Sequence, residues 1–273
     1  MKKISRRSFL AAAAVSAAAL ALTACGGSAS SAASSVASSA AASSGAAALS
    51  TVLAGKLTMA TNATFPPYEM TTDSGEIEGI DVDTAKAIAE KLGLELQIDD
   101  MDFDAALLSV QQGKADIVMA GVTVTDERKA VMDFSDSYAT GIQSIIVPND
   151  SDIASPDDLA GKKIGTQRGT TGYIYCSDDF GEDSVVAYDS GLTAVQALNN
   201  GQVDAVVIDN APATEYVAAN PGLKVLDTSY AEEDYAIGMA KGSALEDAIN
   251  KALEELKEDG TLQSIVDKYI NAN

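Results

Sequence analysis

The segment TVTDER at residues 123–128 places Arg128 one turn inside a predicted helix, beside free hydroxyls and backbone N–H groups. A planar guanidinium binds both oxygens of a carboxylate at once, and the start of a helix adds unpaired donors and a favourable dipole. These residue types predict a carboxylate site. The alternative is an ordinary surface helix with a threonine cap, two acidic residues in its first turn and a solvated arginine.

The N-terminus indicates export from the cytoplasm. Four basic residues precede an uncharged apolar run from Phe9 to Ala24, which predicts a signal peptide over residues 1–24. The run ends in LTACG, which resembles the bacterial lipobox and implies cleavage before Cys25 and lipidation of its sulfur. We therefore expect an extracytoplasmic protein with a lipid anchor in the cell membrane, on its outer face or in a periplasm. The stretch SRRSFL also resembles a twin-arginine motif, so the export route stays open.

Residues 25–52 are rich in serine, alanine and glycine and carry no periodic apolar face. Such a composition cannot bury enough surface to offset the entropy of ordering, so it predicts a flexible tether. From residue 53 onward the composition is that of a globular protein of about 220 residues, long enough for one large core or two modest ones.

Charge and composition exclude several classes of function. All 40 acidic residues lie outside the predicted signal peptide, whereas four of the 18 basic residues lie inside it, so the mature chain would carry a net charge of −26. A body this acidic repels nucleic acid, and we expect no nucleic-acid partner. The chain has no histidine, which removes histidine-based catalysis and the usual zinc ligands. After lipidation of Cys25, Cys176 has no internal disulfide partner and is predicted to be a buried thiol.

Strands and helices alternate along the body, which favours an α/β fold with mostly parallel sheets. A strand over 57–61 is followed by a helix capped by Asp81 and closed by Gly93, then by a strand over 94–98 and a helix over 105–112. A helix, a glycine stop, a turn aspartate and an apolar strand occur around Asp116 and again around Asp204, which predicts two similar lobes. Near the C-terminus, Ser243 to Glu246 reads as a capping box that opens an amphipathic helix, and a second such helix follows Gly260.

Five motifs in order make the sequence resemble the family 3 extracellular solute-binding proteins, the polar amino-acid-binding components of ABC importers. The resemblance covers nearly all of residues 55–271. The motifs are GIDVD (79–83), TVTDER (123–128), FSD (134–136), GTTG (169–172) and DAVVID (204–209).

The resemblance implies an α/β, two-lobed clam-shell fold of the type II periplasmic-binding-protein kind, with a mixed, mostly parallel sheet flanked by helices in each lobe. It implies that residues 53–141 and 240–273 form the first lobe and residues 148–233 the second. Two crossover strands near 142–147 and 234–239 would form the hinge. The ligand would lie between the lobes.

A free amino acid is a zwitterion, and both of its charges need partners in a site that excludes water. The resemblance implies that Arg128 binds the carboxylate with Thr123 and Thr171, and that Asp209 accepts the ammonium with the Gly121 carbonyl and the Thr123 hydroxyl. Asp209 has an alternative role as the cap of a helix over 211–217. The full ligand-binding set implied by the resemblance is Asn62, Phe65, Phe103, Ala120, Gly121, Thr123, Arg128, Gln167, Thr170, Thr171 and Asp209.

The resemblance implies that Phe65 and Phe103 form an apolar wall around the ligand, while Tyr68 is either wall or core. Residues 101–103, 120–121 and 123–128 are most similar to those of glutamine-binding members. Three positions depart from those members, because Asn62 replaces an acid, Gln167 a lysine and Ile208 a histidine. A neutral Asn62 disfavours a cationic ligand, and we expect a neutral polar amino acid such as glutamine. Arg168 either reaches toward an acidic ligand or faces solvent.

We therefore expect a monomeric binding protein, not an enzyme, without cofactor or metal, that works with a cognate permease and ATPase. The chain has no phosphate-binding loop of its own, so the ATPase would be a separate protein. Two alternatives are an enzyme resembling cyclohexadienyl or arogenate dehydratase on the same fold and a component of a ligand-sensing receptor. The enzyme would need a carboxylic acid of raised pKa over the ligand, for which Glu69 is the nearest candidate, although contact with solvent or backbone is expected for it.

Overall fold

A computed structural model of the protein describes residues 49–270. Outside the described residues lie the predicted signal peptide, the predicted lipidation site Cys25, all but the end of the predicted tether and the last three residues.

The described chain alternates strands and helices, as its sequence predicts. The strands are β1 (Lys56–Thr61), β2 (Thr64–Phe65), β3 (Glu69–Thr71), β4 (Ile77–Glu78), β5 (Glu95–Asp100), β6 (Ile117–Val118), β7 (Met132–Phe134), β8 (Ala139–Pro148), β9 (Ile164–Gln167), β10 (Val185–Tyr188), β11 (Ala205–Asp209), β12 (Leu223–Val225), β13 (Ala231–Tyr235) and β14 (Gly238–Ala240). The helices are α1 (Ile80–Leu92), α2 (Phe103–Gln111), α3 (Asp126–Val131), α4 (Thr171–Phe180), α5 (Gly191–Asn199), α6 (Asn210–Ala218), α7 (Glu246–Glu258) and α8 (Thr261–Tyr269).

Two sheets divide the body into two lobes. The first sheet has the order β5-β1-β6-β14-β7, with β1 parallel to β5 and β6 and with β14 antiparallel to its neighbours. The second has the order β10-β9-β11-β8-β12, with β9 parallel to β10 and β11 and with β8 antiparallel to β11, β12 and β13. We call the first sheet with α1–α3, α7 and α8 the first lobe, and the second sheet with α4–α6 the second lobe. The predicted two-lobed α/β architecture with mixed sheets is confirmed.

The chain passes between the two sheets twice, and the two passages lie side by side. The first runs from β7 to β8 and the second from β13 to β14. The Ser135 amide donates to the Ile237 carbonyl (3.0 Å), the Ile237 amide to Ser135 Oγ (2.9 Å) and the Tyr138 amide to the Tyr235 carbonyl (3.0 Å). The predicted hinge near 142–147 and 234–239 stays a prediction. The first passage lies at residues 135–138, between the end of β7 and the start of β8. Residues 143–146 of β8 are already paired with β11 in the second sheet.

Two predicted helix caps are wrong. Gly79, not Asp81, precedes α1. Only glycine fits there, because the φ is 143° and a Cβ would lie 2.1 Å from the Tyr68 carbonyl oxygen. The Asp81 carboxylate is buried inside the lobe instead. The capping box at Ser243 does not form, because α7 begins at Glu246 without a side-chain cap and Ser243 Oγ accepts from the Leu245 amide.

Each lobe has its own buried apolar clusters. In the first lobe, α1 packs against α7 and α8 over β1, and Ile88, Ile249 and Leu253 are fully buried there. In the second, Val195 and Val206 are fully buried between α5 and the sheet. Cys176 is a free, buried thiol, as predicted, and burial raises its pKa to about 12. Among residues 49–270 no helix is both long enough and apolar enough to span a membrane.

Candidate functional site

A cavity lies between the lobes, at the edge where parallel strands of both sheets end. The volume of the cavity, including its opening to solvent, is about 420 Å³. The carboxyl ends of parallel strands are the usual place for ligands in open α/β sheets, because loops and helix N-termini converge there. The structure brings all eleven sequence-predicted residues to this cavity, which is lined by Asn62, Phe65, Glu69, Phe103, Ala120, Gly121, Thr123, Arg128, Gln143, Gln167, Thr170, Thr171, Ile208, Asp209 and Tyr235.

Arg128 is a buried cation that faces this cavity. It lies in α3, whose first turn is capped by the Thr125 hydroxyl, and its side chain is only 8% exposed. Nη1 donates to the Thr123 carbonyl (2.7 Å), Nη2 donates to the Gly169 carbonyl (3.2 Å), and the guanidinium lies 5.4 Å from the centre of the Phe103 ring. No carboxylate of residues 49–270 is within 4.0 Å of it. Burial lowers the pKa of the guanidinium, while Glu233 acts in the opposite direction. The surface-helix alternative does not apply.

Asp209 is a buried carboxylate on the second-lobe side of the same cavity. It ends β11 and caps α6, with Oδ1 accepting from the Ala211 amide (3.0 Å) and Oδ2 from the Ile142 amide (2.8 Å). The side chain is 2% exposed, and burial raises its pKa to about 6 although these donors and Tyr235 oppose the shift. The predicted helix cap is confirmed, and the carboxylate also faces the cavity.

The hydroxyls of Thr123 and Thr171 meet from opposite lobes. Their oxygens are 3.4 Å apart, and both residues are buried. Thr171 is the first residue of α4, a ten-residue helix capped by Thr170, so its amide belongs to the unpaired first turn. The first turn of α4 therefore adds a donor for an anion near Arg128, which binds the Thr123 carbonyl.

The side chains of Asn62 and Gln167 close the cavity by a hydrogen bond between the lobes. Gln167 Nε2 donates to Asn62 Oδ1 (2.9 Å), which also accepts from the Thr64 hydroxyl (3.0 Å). Asn62 Nδ2 donates to the Met101 carbonyl (2.9 Å). This end of the cavity is polar and carries no net charge from either amide.

Phe65 and Phe103 form the apolar wall, and Gly169 lets the lobes approach. Phe65 stacks on Tyr68 at 5.7 Å between ring centres, and Tyr68 packs against Tyr235 in the first-lobe core. Tyr68 therefore takes the core role of its two predicted alternatives. Gly169 has a φ of 74°, and a Cβ there would lie 1.6 Å from an Asp104 carboxylate oxygen of the facing lobe.

Sequence reasoning missed three further residues that border the cavity, Gln143, Ile208 and Tyr235. Gln143 lies on β8 and Tyr235 on β13, so the strands that lead to and from the passages line the cavity themselves. A signal for Gln143 exists in the sequence, because a glutamine followed by a serine interrupts the apolar strand IQSIIV. Ile208 precedes Asp209 and was noted only for replacing a histidine.

The expectation that Glu69 contacts solvent or backbone is wrong. Its side chain is fully buried at the cavity, and neither carboxylate oxygen has a hydrogen-bond partner within the described part of the chain. Burial, followed by the charge of Asp81, raises its pKa well above the ordinary range, which favours the uncharged form of Glu69. Burial also raises the pKa of Asp81 to about 6, although it accepts from the Gly121 amide (3.0 Å) and the Tyr138 hydroxyl (2.7 Å). A neutral Glu69 avoids two adjacent buried charges.

Arg168 lies outside the cavity and faces solvent. Its side chain is 56% exposed and pairs with Asp189 at 3.6 Å. Of its two predicted alternatives, the structure favours the solvent-facing one. No group of three or more acidic or cysteine side chains suited to a metal ion occurs in residues 49–270.

The cavity thus offers a cation and anion acceptors at separate points, with an apolar wall and a neutral polar end. Arg128, with Thr171 nearby, suits a carboxylate. Asp209 and the Gly121 carbonyl are acceptors that suit an ammonium group. Because Arg128 belongs to the first lobe and Asp209 to the second, a zwitterion between them would touch both lobes.

Comparisons with known proteins agree with this description. Residues 57–272 match the family model described as bacterial extracellular solute-binding proteins, family 3. The probable histidine-binding protein of Neisseria gonorrhoeae is 36% identical over 219 residues, which cover 77% of this chain and 81% of that protein.

Two solved structures are similar over most of their length. The arginine-, lysine-, histidine-binding protein ArtJ of Geobacillus stearothermophilus has 34% identity and a TM-score of 0.77, covering 80% of this chain and 96% of that one. An ancestral arginine-binding protein bound to glutamine has 43% identity and a TM-score of 0.75, covering 80% of this chain and 99% of that one. The three named proteins bind amino acids whose side chains differ in charge.

Proposed function

The chain belongs to family 3 of the bacterial extracellular solute-binding proteins, and from that premise we propose that it captures a free L-amino acid between its lobes and delivers it to the permease of an ABC importer. It is a binding protein and not an enzyme, since the relatives are named for binding. The permease and the ATPase are separate proteins in this proposal, and the binding protein acts as a monomer held at the membrane by lipid on Cys25.

One observation carries the proposal: a buried guanidinium and a buried carboxylate line one cavity from opposite lobes without pairing to each other. Arg128 is 8% exposed and Asp209 is 2% exposed. Buried charges without a partner cost several kcal/mol each, roughly, so such an arrangement favours a ligand that supplies both opposite charges. The common part of every α-amino acid does so.

The proposed clamp makes closure of the lobes depend on the ligand. The carboxylate binds Arg128 and the first turn of α4, and the ammonium binds Asp209 with the Gly121 carbonyl and the Thr123 hydroxyl. A ligand that touches both lobes stabilises the closed state over the open one, and the two passages between the sheets absorb the motion. A permease would then recognise the closed, loaded form.

For the side chain of the ligand we propose a neutral polar group, with glutamine as the first candidate. Asn62 and Gln167 form a neutral end to the cavity, and burial raises the pKa of Glu69, which also lines it, well above the ordinary range. Glutamine can donate to and accept from such amides, whereas a guanidinium would find no charge to balance it. The ancestral arginine-binding protein bound to glutamine is a relative that accepts this ligand.

The proposal is tested by calorimetric titration and thermal shift of residues 51–273 against the twenty amino acids, cystine and prephenate. We expect one or a few L-amino acids to bind, with glutamine first. A ligand at a hundredfold excess over its dissociation constant stabilises the fold by about 2.7 kcal/mol, which a thermal shift detects. Absence of a shift with every amino acid, or turnover of prephenate, contradicts the proposal. Binding of arginine ahead of glutamine contradicts only the proposed specificity.

We predict that Asn62→Asp changes the preference of the site toward cationic ligands. The new carboxylate keeps the donors Gln167 and Thr64, while its second oxygen faces the Met101 carbonyl, which loses its donor. The ratio of arginine to glutamine affinity should rise by about tenfold or more, equivalent to about 1.4 kcal/mol. Asn149→Asp is the matched control, because Asn149 is exposed and its side chain donates to the Pro221 carbonyl. An equal change of the ratio in both variants would contradict a local effect.

We also predict that amino-acid affinity falls as pH decreases through about 6. The pKa of Asp209 is raised to about 6 in the free protein, and a bound ammonium favours the charged carboxylate. Protonation therefore stabilises the free form relative to the bound one, and affinity should fall by roughly tenfold per unit below pH 6. Titrations at pH 7, 6 and 5 measure this fall. The analogue with hydrogen in place of the ammonium serves as the control and should show little change.

A further inference from the structure

Glu233 is a buried carboxylate that the proposed ligand contacts leave unassigned. It lies on β13, opposite Gly141 of β8, and is 6% exposed. The acid-rich sequence around it, AEEDYA, suggests an exposed segment. In β13, however, exposed and buried residues alternate, and Glu233 and Tyr235 are both buried. Glu233 does not itself line the cavity.

The backbone holds Glu233 beside the loop that carries Thr123. The Val124 amide donates to the Asp234 carbonyl (3.0 Å) and the Ala236 amide donates to the Val122 carbonyl (3.1 Å), so the two segments run antiparallel. Thr123 forms an isolated β-bridge with Tyr235 in the same pairing. The contact between the two side chains is therefore fixed by local backbone pairing and does not depend on the second-lobe helices.

The hydrogen bonds of Glu233 determine the polarity of the Thr123 hydroxyl. Glu233 Oε2 accepts from Thr123 Oγ1 (3.0 Å) and from Gln143 Nε2 (3.0 Å). Oε2 is the acceptor in both contacts, because the Gln143 amide nitrogen can only donate, and a hydroxyl has a single hydrogen to donate. Because that hydrogen points to Glu233, Thr123 Oγ1 has only lone pairs left for the cavity and for the Thr171 hydroxyl at 3.4 Å.

We propose that Glu233 is a positioning residue that holds the Thr123 hydroxyl as an acceptor toward the α-ammonium of the ligand. The inference rests on the proposed amino-acid function. An ammonium group has three donors and no acceptor, so a hydroxyl hydrogen turned toward it would oppose binding. Glu233 prevents that orientation and makes Thr123 an ammonium acceptor in addition to Asp209. The site thereby distinguishes an α-ammonium from an α-hydroxyl, which itself donates and accepts.

A purely structural role for Glu233, or a role limited to its charge near Arg128, predicts a different result. Either would change the affinity of all ligands that carry the same carboxylate. The proposed role acts through one hydroxyl, so its effect should disappear when that hydroxyl is removed.

The test is a double-mutant cycle of Glu233→Gln and Thr123→Val, with calorimetric titration of the best amino acid and of its 2-hydroxy acid analogue. Glutamine at 233 can donate to Thr123 and reverse its polarity, while valine removes the hydroxyl at nearly constant shape. We expect Glu233→Gln to weaken the amino acid by about tenfold and the hydroxy acid by no more than about threefold. In the Thr123→Val background the same change should alter amino-acid affinity by less than about threefold.

An equal loss for both ligands, or the same loss in both backgrounds, overturns the inference while leaving the proposed function intact. If Glu233→Gln does not fold, Thr123→Val is used alone. Loss of the acceptor must then lower the ratio of amino-acid to hydroxy-acid affinity. An unchanged ratio overturns the inference. If the unaltered protein binds no amino acid, the proposed function fails and the inference fails with it.

Discussion

Arg128→Ala should abolish amino-acid binding while the unliganded protein stays folded. The guanidinium is the cation of the cavity, and its two hydrogen bonds to the carbonyls of Thr123 and Gly169 hold it in place. Without it, the ligand carboxylate would be buried with no counter-charge. Loss of one member of a buried ion pair costs about 3–5 kcal/mol, so affinity should fall by more than about a hundredfold. Calorimetric titration measures the loss, and circular dichroism with thermal unfolding measures the fold.

The matched control for this change is Arg168→Ala. Arg168 follows Gln167 of the cavity lining directly in sequence, but it is exposed and paired with Asp189. Exposed ion pairs contribute about 0–1 kcal/mol, so its loss should change affinity by less than about threefold. Arg128→Lys should give an intermediate affinity, because an ammonium keeps the charge without the planar, bidentate geometry. Near-normal binding by Arg128→Ala would show that the carboxylate lies elsewhere.

In the free protein Arg128 is a cation held away from water. Burial lowers the pKa of this guanidinium, which indicates that the free protein carries an electrostatic cost at this position. The cost is offset when a carboxylate binds. A cavity that holds charges at a cost in the free state is a common property of binding sites.

The sequence predicted the alternating fold because each element carries local signals. Glycine stops follow α1 and α2, apolar stripes mark α1, α7 and α8, and the uninterrupted apolar strand β11 lies buried in its sheet. The two wrong caps are failures of a different kind. Asp81 follows a glycine that starts the helix earlier, and its carboxylate finds the Gly121 amide forty residues away. Such long-range partners leave no periodic signal.

The difference between local signals and long-range partners also explains which cavity residues could be predicted from the sequence. Arg128, Thr171 and Asp209 follow strands or open helices, so strand order and topology place them at one edge. The burial of Glu69, Gln143 and Glu233 was not predicted, because it depends on how β3, β8 and β13 pack. Glu69 in particular lies on a three-residue strand whose inward face is set by the neighbouring α1. Local charge alone suggests exposure for all such acids.

Asp209→Asn should reduce amino-acid affinity by more than about a hundredfold, because it removes the buried counter-charge of the ammonium. Asparagine keeps one oxygen for the Ala211 amide and so preserves the cap of α6, while its amide nitrogen replaces the oxygen that accepts from the Ile142 amide. Asp204→Asn is the matched control, since this exposed aspartate five residues earlier accepts only from the Lys163 amide. The analogue with hydrogen in place of the ammonium should bind the Asp209→Asn variant and the unaltered protein with affinities within about threefold, because it retains only the carboxylate interaction. If the variant binds both ligands as the unaltered protein does, Asp209 is only a helix cap. If it loses both equally, the ligand does not lie between Arg128 and Asp209, and the proposed clamp is wrong.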